Sequence, residues 1–165
     1  MTKNACWIKS SVANLLVEMG NECAPKETGG LLFGYIGDNG DPVITEASIA
    51  GPNAVGEPRG FTPDYEHDAE KVNEIYRMSD GMISYLGDWH SHPAGGVRTS
   101  RRDYKTLLNM ERAHRPFGHS PIMLILGHTV RGKWECAVHQ LEERSLLAKL
   151  CFQVKARVFN VEFFD

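Results

Sequence analysis

The stretch MISYLGDWHSHP at residues 82–93 decides how this chain folds around its most informative side chains. Residues i and i+2 of a strand point to one face of a sheet, whereas a helix would rotate them far apart. His90 and His92 can therefore converge only from a strand. The stretch is rich in β-forming residues and follows Gly81, which would stop a helix. We predict a strand here, with both imidazoles leaving the same face.

A carboxylate follows this strand at a compact spacing. Residues 93–96 (PAGG) break the strand, and Ser100 to Asp103 opens a segment whose apolar spacing predicts a helix. By themselves, Ser100 and Asp103 are typical of a capping box at a helix start. With His90 and His92, Asp103 completes a set of three ligands that leaves a fourth zinc position for water. The full set predicts a zinc site.

The chain resembles the JAMM metallopeptidases, also called JAB or MPN-plus, because it carries their signature without a gap in its spacing. The signature residues here are Glu27, His90, His92, Ser100 and Asp103. The segment ETGGLLFG at residues 27–34 also resembles the family's strand after its first helix. The resemblance implies one catalytic zinc ion held by the two histidines and the aspartate. It also implies that Glu27 is the general base and acid, and that Ser100 donates a hydrogen bond near the oxyanion.

Amide hydrolysis is the chemistry that this ligand set implies. Zinc polarises the scissile carbonyl and lowers the pKa of its bound water from about 15.7 toward about 7. Glu27 would take that proton and pass it to the leaving amine. Ser100 would steady the oxyanion beside the metal.

The fold class is α/β with mixed α+β element order. The resemblance implies the MPN/JAB fold, a curved mixed β-sheet flanked by helices in a cytidine-deaminase-like three-layer arrangement. Periodicity and turn residues predict the elements. The first is a helix capped by Ser10 or Ser11 and ended by Gly20, followed by a hairpin of 30–36 and 43–49 and a loop over 51–59. A second helix is capped by Thr62, has Pro63 in its first turn and is closed by Gly81. The later elements are strands at 122–126 and 134–141, a helix over 142–150, and an edge strand at 152–158.

Length and composition predict one domain over residues 1–165. A chain of this length with 42% hydrophobic residues can bury one substantial core. Its four cysteines are scattered without a C-x-x-C pair, so neither a cysteine zinc site nor a disulfide framework is indicated. No run of ~18 apolar residues occurs, which argues against a membrane span. We expect a cytoplasmic protein.

The substrate is predicted from the resemblance alone, and three classes stay open. The chain most resembles stand-alone bacterial JAB peptidases of CBASS-type antiphage operons. These cleave after the C-terminal glycine of a ubiquitin-like modifier or conjugated protein, beside activating and conjugating enzymes. A sulfur-carrier-processing JAB peptidase is the second class. The third is a noncatalytic MPN scaffold or RadC-like nucleic-acid-associated protein, although a net charge of −3 gives no general basic footprint for nucleic acid.

Several residues beside the predicted ligands have two interpretations. Arg98, Arg101 and Arg102 form a basic cluster that either contacts an acidic patch on a modifier or target, or is simply solvated. Asp88 shares a predicted strand face with His90, where it would orient a ligand histidine or make a salt bridge or loop contact. Trp89 and Ser91 should point to the opposite face, as packing residues.

Overall fold

The computed structural model describes residues 4–114, 116, 118–129, 131–142 and 156–165. In these residues, three α-helices flank an eight-stranded mixed sheet, and two short strands form a separate hairpin. The elements in chain order are β1 (Ala5–Lys9), α1 (Ser10–Cys23), β2 (Gly29–Ile36), β3 (Pro42–Ala47), β4 (Val55–Glu57), β5 (Gly60–Thr62), α2 (Tyr65–Met78), β6 (Ser84–His92), α3 (Arg101–His114), β7 (Ile122–His128), β8 (Trp134–Leu141), β9 (Ala156–Val158) and β10 (Asn160–Phe164).

The strand order places β6 in the middle of the large sheet. The order is β10-β1-β3-β2-β6-β7-β8-β9. Strand β6 pairs antiparallel with β2 and parallel with β7, so both of its edges are occupied. The sheet curves until its two ends approach each other, where the Phe159 N–H donates to the Val138 carbonyl at 3.0 Å. The predicted curved mixed sheet flanked by helices is confirmed.

The two faces of the sheet bury different helices, and alternate residues of β7 show the division. Leu124 and Leu126 pack in the cluster that also holds Leu16 of α1. Met123 and Ile125 pack with Leu107 and Met110 of α3 on the other face. His90 is in register with Ile125, and Trp89 with Leu124. His90 therefore faces the α3 side, while Trp89 is buried in the α1 core.

The hairpin predicted before the site and the two apolar strands predicted after it are confirmed. The hairpin forms from β2 and β3, and the later apolar strands form β7 and β8. The predicted edge strand at 152–158 is described only over 156–158, where β9 lies at one end of the sheet order. Residues 152–155, and 143–150 of the helix predicted after β8, lie outside the described residues.

Helix α1 differs from its prediction at both ends. It begins at Ser10 after Lys9, without a side-chain cap, and continues past Gly20 to Cys23. The Ser10 hydroxyl instead donates to the Phe164 carbonyl at 2.9 Å. A Cβ at Gly20 would lie 3.0 Å from both Leu126 and Trp134. Gly20 therefore allows close packing of the helix on the sheet, and it does not end the helix.

The segment before α2 also differs from its prediction. Residues 51–59 are not only a loop, because β4 pairs with β5 as a short hairpin. Thr62 belongs to β5, and Pro63 lies outside the helix. The N-cap is Asp64, whose carboxylate accepts from the His67 N–H at 3.3 Å. A carboxylate at this position satisfies a free N–H of the first turn, as Thr62 was expected to do.

The sequence predicted that Gly81 would end the second helix, but α2 already ends at Met78. Gly81 follows with φ +77° and donates its N–H to the Tyr76 carbonyl at 2.8 Å. A glycine in this left-handed conformation is a common way to end a helix. No helix in the described part of the chain is long and apolar enough to cross a membrane.

Gly87 creates a local irregularity in β6 just before the histidines. Its φ is +156°, and the pairing of β2 with β6 shifts register beside it, between Leu32 and Phe33. A Cβ on Gly87 would lie 1.8 Å from the Ile122 carbonyl oxygen. Only glycine allows β7 to approach so closely.

We expect Gly87→Ala to lower the free energy of unfolding by about 1–3 kcal/mol, because the added methyl group must push β6 and β7 apart. Chemical denaturation would measure the change. Gly96→Ala is the matched control, since nothing lies within 4 Å of its Cβ position. Its effect should stay within about 0.5 kcal/mol. Equal effects of the two substitutions would contradict the proposed close approach.

Candidate active site

The three side chains predicted to bind zinc converge at the end of β6. The Nε2 atoms of His90 and His92 are 3.0 Å apart. Asp103 places Oδ1 3.2 Å from His90 Nε2 and Oδ2 3.5 Å from His92 Nε2. Ligands about 2.0–2.2 Å from a tetrahedral zinc ion are about 3.3–3.6 Å from one another. The His92–Asp103 separation lies in this range and the other two are slightly shorter, so the three groups are close enough together, and of the right donor types, to hold a metal ion.

Asp103 faces the two imidazoles and also takes part in the capping box at the start of α3. The Ser100 N–H donates to Asp103 Oδ2 at 2.6 Å, and the Asp103 N–H donates to Ser100 Oγ at 3.1 Å. Burial alone would raise the pKa of Asp103. Hydrogen bonds from His90, His92 and Ser100 outweigh it and hold that pKa well below its usual range. Asp103 is thus an anion, the form that binds metal.

The orientation of His92 is fixed by the loop that follows it. Its Nδ1–H donates to the Gly96 carbonyl at 3.0 Å, which leaves the Nε2 lone pair directed at the site. Burial works to lower the pKa of His92, but the hydrogen bonds to Asp103 and Gly96 raise it overall. A metal ion would displace this extra proton, because ligand histidines bind in the neutral form.

Glu27 is brought beside the histidines by the pairing of its neighbour Thr28 with β6. The Ser91 N–H donates to the Thr28 carbonyl at 2.8 Å, and the Thr28 N–H donates to Ser91 Oγ at 3.0 Å. Glu27 is half-buried and lines the same cavity as His90. Burial raises the pKa of Glu27, while the nearby His92 and His90 oppose the rise. The raised pKa brings the Glu27 carboxylate closer to the pKa that suits a general base near neutral pH.

The β4–β5 hairpin covers one side of this cavity. Its Glu57 carbonyl accepts from the Glu27 N–H at 2.8 Å. Arg102 of α3 donates through Nη2 to the Phe61 carbonyl at 3.2 Å. Arg102 therefore joins α3 to the hairpin, a contact that neither interpretation of the basic cluster included. Arg98 and Arg101 are exposed.

Trp89 and Ser91, which alternate with the two histidines along β6, are buried away from the site, as strand alternation predicts. Trp89 is buried on the α1 side, with its Nε1–H donating to the Ser48 carbonyl at 2.9 Å, and Ser91 is fully buried. The expectation for Asp88 is corrected: it accepts a hydrogen bond from the Tyr85 hydroxyl at 2.6 Å, and no ligand histidine bonds to it in the described residues. Burial raises the pKa of Asp88 to about 6.

A cavity of about 760 Å³ runs from the metal-ligand cluster along the groove between α2 and α3. Residues of both helices form its walls, and β6 and β7 form its floor. The polar residues that line it include Glu27, Asp68, Tyr85, Asp88, His90, Arg102 and Lys105. A cavity of this volume is within the range of clefts that bind ligands.

His139 is a residue near the site whose place the sequence reasoning missed. It is buried on β8, and its Nε2–H donates to the Val97 carbonyl at 2.8 Å. Burial lowers its pKa, which favours the neutral ring in this contact. His139 thereby fastens the loop between His92 and Ser100. Alternation along β8, where His139 is in register with Met123, was the signal that could have placed it on the α3 face.

The family of the chain follows from comparison with known proteins. Residues 9–138 match the model of the family described as prokaryotic homologs of the JAB domain. This chain is a prokaryotic JAB protein. The predicted family, the JAB fold and the expectation of a metallopeptidase enzyme are confirmed by this match together with the relatives below.

The JAB protein is similar to proteins from several bacteria. It is 31% identical over 146 residues to the probable metalloprotease y4qB of Sinorhizobium fredii, covering 86% of this chain and 87% of that protein. A CD-NTase/cGAS isopeptidase of Escherichia coli is 36% identical over 101 residues, covering 61% of this chain and 62% of that protein. Another protein of that name, from Enterobacter hormaechei, is 26% identical over 130 residues, covering 77% and 69%.

A solved structure is similar to the JAB protein in fold. The solution structure of protein DSY2949 from Desulfitobacterium hafniense matches with a TM-score of 0.63 and 18% identity. The match covers 96% of this chain and 94% of that chain. The similarity extends beyond the central sheet to nearly the whole chain.

Proposed function

We propose that this JAB protein is a zinc-dependent isopeptidase that cleaves after the C-terminal glycine of a ubiquitin-like modifier or conjugated protein. The observation that carries the proposal is the position of Glu27, which lines one cavity with His90 and Asp103, two members of the cluster of His90, His92 and Asp103. A metal site needs a proton acceptor beside it to become a hydrolase. A metalloprotease and two isopeptidases among the relatives support the same chemistry.

The metal would be held by His90 and His92 through Nε2 and by Asp103 through its carboxylate. When bound, zinc supplies a Lewis acid that polarises a carbonyl and acidifies water. The protein contributes the fixed geometry: Gly96 orients one imidazole, and the capping box holds the carboxylate. Two nitrogens and a carboxylate oxygen are ligands that suit zinc.

Glu27 would take the proton of the attacking water and return it to the leaving amine. Its neighbour Thr28 is bonded to β6 through two hydrogen bonds, which hold the carboxylate beside the histidine strand. The pKa of Glu27 is raised by burial, so it accepts a proton more readily than an exposed glutamate. One carboxylate serves both transfers because amide cleavage needs a proton removed and then delivered.

Ser100 would donate a hydrogen bond to the oxyanion that develops at the scissile carbonyl. Its Oγ accepts from the Asp103 N–H, and a serine hydroxyl keeps its own hydrogen available to donate. The cap therefore holds the hydroxyl in place at the same time as it leaves the donor free. Contacts of this type typically contribute about 2.7–4 kcal/mol to transition-state stabilisation.

The proposed substrate is an amide that joins a modifier to a target protein, in a bacterial antiphage system of the CBASS kind. The names of the two isopeptidases refer to CD-NTase/cGAS, and this supports a conjugated protein as substrate. The partners would be that conjugate and the activating and conjugating enzymes that made it. A groove between helices suits the flexible tail of a modifier.

The test is cleavage of a modifier–target fusion by the purified protein. We expect a cut directly after the last glycine of the modifier, its loss on addition of a chelator, and its return with added zinc. Mass spectrometry of the products locates the cut. A fusion of a β-grasp sulfur carrier tests the processing alternative in parallel. Cleavage that continues unchanged in chelator would contradict the proposed chemistry.

A further inference from the structure

The helix that forms one wall of the groove buries an acidic residue where an apolar one is expected. The buried residue of α2 is Asp68, with 9% of its surface exposed. It lines the cavity. Within the described residues, the structure gives its carboxylate neither a hydrogen bond nor an ion pair. Buried carboxylates almost always have such partners, so an unpaired one facing a cavity points to a ligand.

A second carboxylate lies on the floor of the groove close to Asp68. Asp88 is partly buried on β6 and accepts the Tyr85 hydroxyl at 2.6 Å through Oδ1. Its Oδ2 has no hydrogen-bond partner in the part of the chain that the structure describes. The charge of Asp68 is near enough to act on both Asp88 and Tyr85. Two carboxylates from different elements therefore face the same space.

No lysine or arginine among the described residues neutralises this pair. In the described ranges, neither Asp68 nor Asp88 forms an ion pair with a lysine or arginine. Arg102 lines the same cavity, but it bonds to Phe61 of the hairpin, and Lys105 is exposed. Burial raises the pKa of Asp68, and the nearby His67 opposes the rise only in part.

Asp68 is not needed to cap its own helix. That role belongs to Asp64, which accepts from the His67 and Asn53 N–H groups at 3.3 Å and 3.0 Å. Glu66 is a further acid in the first turn, and it is exposed. Local helix stability therefore explains neither the burial of Asp68 nor its orientation into the groove.

We propose that Asp68 and Asp88 form a specificity subsite for an arginine or lysine side chain of the substrate. This inference rests on the proposed function, since it assumes that a peptide occupies the groove beside the metal site. A guanidinium or ammonium group would meet an acceptor on each side, in a partly desolvated space where charge-assisted hydrogen bonds are strong. The matching residue belongs to the extended tail that precedes the scissile bond.

The position of the cationic residue in the substrate follows from the strand. Asp88 is two residues before the ligand His90, which corresponds to about 6.6 Å along β6. An extended substrate advances by about the same amount per residue pair. The cationic residue should therefore lie two or three residues before the scissile glycine.

The experiment compares fusion substrates that differ at one residue of the tail. Arginine, leucine or glutamate is placed two and three residues before the scissile glycine, and kcat/KM is measured for each. We expect the wild-type protein to prefer arginine over leucine by about tenfold or more, and to cleave the glutamate substrate least. Asp68→Asn should reduce the preference to less than about threefold. Glu70→Gln removes the same charge from an exposed position of α2 and should keep it.

A binding measurement tests the subsite independently of substrate cleavage. Labelled tail peptides that end in glycine, with arginine or leucine at the chosen position, are titrated into wild-type protein and Asp68→Asn, both checked for folding by circular dichroism. Tighter binding of the arginine peptide, lost in Asp68→Asn and kept in Glu70→Gln, supports the subsite. Equal binding of the two peptides overturns it. Absence of cleavage of every substrate contradicts the proposed peptidase, and the peptide titration then still decides the subsite.

Discussion

Replacing Glu27 by glutamine is expected to reduce kcat about 10²–10⁴-fold while the protein still binds one metal ion. Glutamine keeps the size of the side chain but cannot accept the proton of water, and general base catalysis typically contributes a factor of this size. Glu27 lies outside the set of metal ligands, so the ion should be retained. Steady-state kinetics and metal analysis of the same preparation measure both quantities.

The control for this substitution is Glu22→Gln, which changes the same group at an exposed position of α1. It should keep normal turnover. Normal turnover in Glu27→Gln would show that another group takes the proton. Loss of metal together with activity would instead assign Glu27 to the metal site.

His90→Ala should abolish both metal binding and cleavage. His90 is buried and contributes one of three closely spaced ligand atoms. Loss of a residue that merely orients a ligand typically costs 10–100-fold in metal affinity or activity, so loss of a ligand itself should exceed about 100-fold. Metal titration and single-turnover cleavage measure the two effects.

A histidine outside the cluster provides the matched control. His67→Ala changes a partly buried histidine of α2, and the protein should still bind metal with unchanged stoichiometry. Cleavage by metal-free His90→Ala would rule out the proposed mechanism. Normal metal affinity in that variant would remove His90 from the ligand set.

The convergence of the three proposed metal ligands could be predicted from sequence because each depends on local geometry. His90 and His92 needed only the two-residue period of a strand, and Asp103 needed only the first turn of a helix. Both elements formed as predicted. The capping interpretation of Ser100 and Asp103 is also correct, since their reciprocal hydrogen bonds are present. The pair that caps the helix is therefore the same pair that we propose acts in the site.

The place of Glu27 required knowledge that its local sequence does not contain. Its position beside the histidines depends on Thr28 pairing with Ser91, across 63 residues of chain. Only the resemblance to a known family connected these segments before the structure did. Strands β1 and β10 were missed for a similar reason, because five-residue strands that pair across the whole chain have little periodicity of their own.

Asp68 was missed although the sequence carried a signal for it. With Val72 and Ile75 it occupies positions i, i+4 and i+7 of α2, the spacing of an inward-facing stripe. An acid in such a stripe contradicts the expected apolar pattern. Contradictions of this kind are where functional residues are found, because the chain accepts a local cost there.

Strand β10 determines when this protein can finish folding during synthesis. It covers the outer edge of β1, with Ala5 paired to Asn160 and Lys9 to Phe164. Chains emerge from the ribosome N-terminal end first, and pairing over such a separation is slow. The edge of β1 therefore stays open to other nascent chains until residues 160–164 have been made. A strand that contributes no group to catalysis thus limits how soon a newly made molecule is protected from aggregation.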